Sequence, residues 1–141
     1  MKLSTDETCI FCKIIQKTIP SSILYEDNTS LAFLDIRPLN KGHTLIIPKN
    51  HYVDIFDIPK NDLQTIHAAT KPLATAIKNA TNADGISIIQ QNGKAAGQEI
   101  FHYHVHVVPR FNGQPLPRFN EINIAERKEL DEMATKIKQY L

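Results

Sequence analysis

Apolar and polar positions along the chain fall into short alternating runs and one long stretch with helical spacing. Ser22 to Tyr25 and Ser30 to Leu34 read as strands, and the turn signal Glu26-Asp27-Asn28 between them predicts a hairpin. His43 to Ile47 reads as a third strand, entered through Lys41-Gly42 and ended by Pro48. Ile86 to Gln90 and Ile100 to Val108 read as the fourth and fifth strands, the last ended by Pro109. Cys12 to Lys17 predicts a short helix stopped by Ile19-Pro20, because the residue before proline avoids the helical region. Asn61 or Asp62 is placed to cap a long helix reaching about Asn82, with Leu63, Ile66, Leu73 and Ile77 as its apolar stripe. Pro72 inside it predicts a kink or a split. Ile124 to Tyr140 predicts a C-terminal helix. The sum is an α+β fold: a five-stranded, mainly antiparallel sheet with one long and one C-terminal helix.

The 141 residues suit one domain, with a tail at 1–8 and a C-terminal segment at 111–141. The formal net charge of +1 gives no broad field for nucleic acid, and no apolar run is long enough for a membrane span. Met1 to Thr8 carries Asp6 and Glu7 and no apolar core, so no signal peptide is expected and a cytoplasmic protein is. The only cysteines, Cys9 and Cys12, form a C-x-x-C pair. A disulfide across so short a loop constrains little of the unfolded chain. The pair is a redox motif, half of a metal site, or incidental.

His102-Tyr103-His104-Val105-His106 carries the chemistry. In a strand, alternate side chains share a face, so the three histidines line one face and Tyr103, Val105 and Val107 bury on the other. Buried imidazoles need a partner for each ring nitrogen, which makes a merely structural triplet costly. Two chemistries fit: a metal site, or nucleophilic attack on phosphorus by a neutral imidazole whose other nitrogen is held by a carbonyl. The loop Gln91-Asn92-Gly93-Lys94-Ala95-Ala96-Gly97-Gln98 precedes the triplet. Its glycines let backbone N–H groups approach an anion, which favours phosphate.

With that loop in place, the chain resembles the histidine triad (HIT) superfamily, in its Hint-like branch. The resemblance runs from Cys9-Ile10-Phe11-Cys12-Lys13-Ile14-Ile15 to Pro109-Arg110, through Ala32-Phe33-Leu34-Asp35-Ile36, Lys41-Gly42-His43 and Gly97-Gln98. It implies a five-stranded antiparallel α+β fold whose sheets join across a homodimer. It implies cleavage of purine nucleoside phosphoramidates through a nucleotidyl-histidine intermediate, to give a nucleoside monophosphate. By position, His104 is implied as nucleophile, oriented by the His102 carbonyl, with His106 on the phosphate and leaving group and His43 completing the cluster. Asp35 is implied as the ribose acceptor and Ile19, Phe33 and Ile36 as the base slot. Gln91, Gly97 and Gln98 are implied on the phosphate and ribose side. One position departs: Glu99 stands where a small hydroxyl residue is usual. A carboxylate there either repels phosphate or turns away and leaves its backbone N–H as the contact. His67 matches nothing in the motif and reads as a surface residue.

The resemblance also implies a structural Cys2His2 zinc site from Cys9, Cys12, His51 and His102, with no catalytic metal. Two rivals remain beside the phosphoramidase: a dinucleoside polyphosphate hydrolase, and a non-catalytic nucleotide-sensing or partner-binding module. A third, catalytic zinc on all three triplet histidines, is disfavoured because on a straight strand they span roughly 13 Å.

Overall fold

The computed structural model describes residues 3–118 and 121–141. The first two positions of the expected N-terminal tail, and residues 119–120 of the expected C-terminal segment, lie outside the described residues. The elements in order are α1 (Ile10–Ile15), β1 (Ile23–Glu26), β2 (Ser30–Leu34), β3 (Thr44–Pro48), α2 (Lys60–Thr81), β4 (Gly85–Ile89), a 3-10 turn (Lys94–Ala96), β5 (Val105–Arg110) and α3 (Arg127–Lys138). The strands form one antiparallel sheet in the order β1-β2-β3-β5-β4. No described helix is long and apolar enough to cross a membrane.

Period-two alternation sorts the side chains into two layers. Ala32, Leu34, Ile46, Tyr103, Val105 and Val107 pack with Ile66, Leu73 and Ile77 of α2 and Leu130 and Ile137 of α3. On the opposite face, Leu31, Phe33, Leu45 and Ile47 pack with Cys9, Phe11, Cys12 and Ile14 of the α1 region. Every residue of β2 and β3 is therefore buried. The odd-numbered positions of this second face also carry Asp35 and His43, just beyond the ends of β2 and β3. Register then lines up Phe33, Leu45, His106 and Ile89 as one row across four strands.

Several boundaries differ from the sequence reading for identifiable reasons. The fifth strand begins at Val105, not Ile100. Its register pairs Val105 with Ile46, so Tyr103 would meet Pro48, which has no N–H to give. Tyr103 donates its N–H to the Tyr52 carbonyl instead, at 2.6 Å. The alternation of faces survives in this unpaired stretch, with Tyr103 in the α2 layer and His102 and His104 on the other side. The long helix starts at Lys60 after Pro59 without a side-chain cap, and Asp62 accepts from the Tyr52 hydroxyl instead. Pro72 does not split it: the Ala68 carbonyl that loses its partner lies on the exposed side, where water serves. The C-terminal helix is shorter than expected because Ala125 donates its N–H to the Ile36 carbonyl. His67 is exposed, yet its Nε2 sits 2.9 Å from the buried Tyr103 hydroxyl, so it is a hydrogen-bond partner of the core and not a bare surface residue.

Candidate active site and metal centre

Four histidine rings meet on the α1 face, and their neighbours fix where each proton sits. His104 Nδ1 is 2.7 Å from the His102 carbonyl, which can only accept, so the proton is on Nδ1 and the Nε2 lone pair is free. His43 Nδ1 accepts the Leu39 N–H at 3.0 Å, so a neutral His43 carries its proton on Nε2. That nitrogen is 2.9 Å from His106 Nδ1 and 3.6 Å from an Asp35 carboxylate oxygen. His106 then accepts at Nδ1 and holds its own proton on Nε2. The outcome is one ring with a free lone pair beside one ring with a free N–H. Their centroids are 4.8 Å apart.

Burial keeps these rings neutral. Desolvation first, then the neighbouring His106 and His104, push His43 down to about 3. Desolvation and His104 push His106 down to about 4. Desolvation also lowers His104, against the raising effect of its bond to the His102 carbonyl. Asp35 moves the other way: burial, with Glu99 adding to it, raises its carboxyl to about 6 against the Arg37 N–H and charge.

A cleft of about 190 Å³ opens over His104 and His106. Its walls include Ile10, Phe11, Asp35, Ile36, Gln91 and Gly97. Of the expected base slot, Ile36 is on the wall and 40% exposed. Phe33 lies behind the wall, edge-on to Phe11 at 5.5 Å. Ile19 packs at the margin of the same apolar cluster and does not line the cleft. Gly97 has φ +93, so the conformation requires glycine, and a Cβ there would stand 2.6 Å from Gln91 Nε2 and displace the end of that side chain. Gln98 is buried behind the loop: it accepts the Gly93 N–H and donates to the Val53 and Ile100 carbonyls. Glu99 lines the cleft. The reading by motif did not assign a site role to Phe11, Ile10, Leu45 or Arg37, which also line it. Leu45 was legible from its parity with His43; Phe11 was not, because α1 has no register with the sheet.

Cys9, Cys12, His51 and His102 form a second cluster, with all ligand atoms within 4.8 Å of one another. Cys9 Sγ is 3.4 Å and Cys12 Sγ 3.7 Å from His102 Nδ1. His51 Nδ1 is 3.4 Å from Cys12 Sγ and 3.2 Å from His102 Nδ1. Tetrahedral zinc with bonds of about 2.3 Å to sulfur and 2.0–2.1 Å to nitrogen separates its ligand atoms by about 3.3–3.8 Å. The donor set and its spacing therefore fit zinc. The outer contacts fit as well. His102 Nε2 donates to the Pro48 carbonyl at 2.8 Å, leaving Nδ1 free to ligate, and His51 Nε2 faces Asp6 at 3.9 Å. The Cys12 N–H points at Cys9 Sγ and the Asp6 N–H at Cys12 Sγ, as suits thiolates. Burial first, with Cys9 and the Asp6 charge adding to it against the Asp6 N–H, pushes the Cys12 thiol up to about 11, and a cation is what reverses that.

Asp35, His43 and His106 also stand close enough to share a metal ion. The Leu39 N–H argues against it. Ligation through His43 Nε2 would put the ring proton on Nδ1, facing another donor.

The HIT domain matches residues 16–113. An uncharacterized HIT-like protein of Methanocaldococcus jannaschii is 42% identical over 131 residues, 92% of this chain and 98% of that protein. An adenylylsulfatase of Arabidopsis thaliana is 43% identical over 102 residues, 72% of this chain and 52% of that protein. The crystal structure of a zinc-bound histidine triad family protein from Mycobacterium smegmatis superposes with a TM-score of 0.83 at 37% identity, covering 94% of this chain and 92% of that one. The chain belongs to the HIT family.

Stability should depend on pH in opposing ways at this site. His43 and His106 have folded values below the ordinary 6.5, so the unfolded chain takes up protons first. Their contribution is whole above about 6.5 and is lost as pH falls toward 4. Asp35 is raised from 3.8 to about 6, so across that interval the folded protein holds the extra proton and gains stability on acidification. Melting temperatures measured from pH 7 to pH 4 should fall for the wild type, fall less for His106→Asn, and fall more steeply for Asp35→Asn.

Proposed function

We propose that this chain is a nucleotide hydrolase that cleaves purine nucleoside phosphoramidates at the α-phosphate through a nucleotidyl-His104 intermediate. The observation that carries the reading is the pair of complementary rings: a free Nε2 lone pair on His104 beside a free Nε2–H on His106. His104 Nε2 attacks phosphorus, a new N–P bond forms, and the bond to the leaving nitrogen breaks; that nitrogen accepts a hydrogen bond from the His106 Nε2–H and leaves as the amine with a proton taken from solvent. Water held by the same N–H then attacks phosphorus and gives a proton to solvent, the His104–phosphorus bond breaks with its electron pair returning to Nε2, and a nucleoside monophosphate leaves. His43, its tautomer set by the Leu39 N–H, supplies the hydrogen bond that keeps His106 in the right form. Asp35 accepts the ribose hydroxyls, Ile19, Phe33 and Ile36 serve the base, and Gln91, Gly97 and Gln98 serve the phosphate side. For Ile19, Phe33 and Gln98 that service is indirect, the first two as packing behind the cleft wall and the last as a brace of the glycine loop. The plant relative's name attaches an adenylyl substrate to that protein, and the same nucleotide class is proposed here.

Brief mixing with an adenosine phosphoramidate should add one nucleotidyl group to the wild type by mass spectrometry, and none to His104→Ala or His104→Gly. Nucleotide binding without turnover or adduct would favour the sensing module. Faster turnover of a dinucleoside polyphosphate at equal concentration would favour the other hydrolase.

Cys9, Cys12, His51 and His102 are proposed to hold a structural zinc ion, supported by ligand spacing and by the zinc-bound relative. Elemental analysis of protein purified without chelator should find about one zinc per chain, in the ratio set by a single four-ligand site. None would remove the site.

A homodimer is proposed to form by joining sheets along β4, one of the sheet's two edge strands, which carries Ile88 exposed. Sedimentation equilibrium should give twice the chain mass, and Ile88→Lys should weaken the association.

A further inference from the structure

Phe11 lies between Cys9 and Cys12 in the chain. Its ring stands edge-on to His104 at 5.2 Å between centroids, and also to His102 at 5.8 Å and Phe33 at 5.5 Å. Phe11 is 5% exposed, so its position depends on the turn that carries it. That turn is short. Its six-residue helix, Ile10–Ile15, is capped by Cys9 and has no register with the sheet to hold it. His102 is a second link. Its ring Nδ1 belongs to the Cys2His2 cluster, its Nε2 is tied to the Pro48 carbonyl, and its own carbonyl accepts the Nδ1–H of His104. No ladder bond fixes the His102 backbone, because the strand starts only at Val105.

We propose that the Cys2His2 centre positions the reacting ring of His104 through two side chains, His102 from the carbonyl side and Phe11 from the flank. The centre is then part of the catalytic geometry and not only a staple for the N-terminal turn. Phe11 is a positioning residue. Without a cation between the four ligands, the buried sulfurs lose the interaction that draws them to two histidines. The α1 turn is then free to shift, and both supports of His104 shift with it. The carbonyl that selects the His104 tautomer belongs to one ligand, His102, and the ring edge that sets its tilt belongs to the residue next to another, Cys12. Small displacements matter here, since misplacing a nucleophile by about 1 Å costs on the order of a hundredfold in rate. The inference rests on His104 being the nucleophile and on zinc filling the cluster.

The test compares zinc-loaded wild type, chelator-stripped wild type and zinc-loaded Phe11→Leu. Each is read for metal content, circular dichroism, the His104 ring Nδ1–H signal in nitrogen-15 spectra, and the rate of nucleotidyl adduct formation from an adenosine phosphoramidate. The stripped protein and Phe11→Leu should both shift or broaden the His104 ring signal. Adduct formation should slow by about ten- to a hundredfold, with a smaller change in adenosine monophosphate affinity. If stripping unfolds the chain, loaded Phe11→Leu decides. An unchanged ring signal and unchanged adduct rate, in folded stripped protein or in loaded Phe11→Leu, overturn the proposal. So does a wild-type chain that takes up no zinc. If loaded wild type forms no adduct, the assignment of His104 as nucleophile fails instead, and the ring signal alone decides whether the centre controls that ring.

Discussion

The hydrogen bond from His104 Nδ1 to the His102 carbonyl is the contact on which the site depends. A carbonyl oxygen has no proton to give, so the bond fixes one tautomer and aims a lone pair into the cleft. The bond spans two residues, and its geometry is a property of the backbone between them. Much of the structure around it serves to hold that backbone. Tyr103 is fully buried, its N–H goes to Tyr52 and its hydroxyl to His67 on α2. His102 is held by Pro48 on one side and faces three metal-type ligands on the other.

Pro48 has two effects on this stretch. It has no N–H, so the β3–β5 ladder cannot continue to Tyr103. Its carbonyl then accepts from the His102 ring, which leaves Nδ1 turned toward the cysteines. A regular strand would have paired the His102–His104 backbone with its neighbour. The interruption releases that backbone to bend, and the rings of His102 and His104 part company. One enters the metal-type cluster and the other the cleft. His106, inside the ladder, keeps the regular strand position and meets His43 across the register.

The low polarity of the site has a cost and a use. Burying four imidazoles and a carboxyl favours their neutral forms; the imidazoles thereby weaken the fold in acid, and the carboxyl opposes them. The same neutrality gives a ring with a lone pair and a ring with a proton at one pH, as the proposed transfer needs. The Leu39 N–H is the small feature that orders the chain of rings, because it sets His43 and, through it, His106.

Much of this was determined by local sequence. Alternation put His102, His104 and His106 opposite Tyr103, Val105 and Val107, and the same parity put Asp35 and His43 with them. Five strands, their antiparallel class and the long helix were readable from apolar spacing and turn residues. The Cys9, Cys12, His51 and His102 set became readable through the family resemblance, and the structure brings those four side chains together. The tertiary structure alone decided the rest. Where the fifth strand begins depends on Pro48, 55 positions before Tyr103 in the chain. Phe11 reaches His104 because α1 packs on the sheet, and no periodicity within the chain sets that docking angle. Ile19, Phe33 and Gln98 stand behind the cleft and not on its wall for the same reason. Which proton sits on which ring was decided last, since tautomers follow partners that only packing brings within 3 Å.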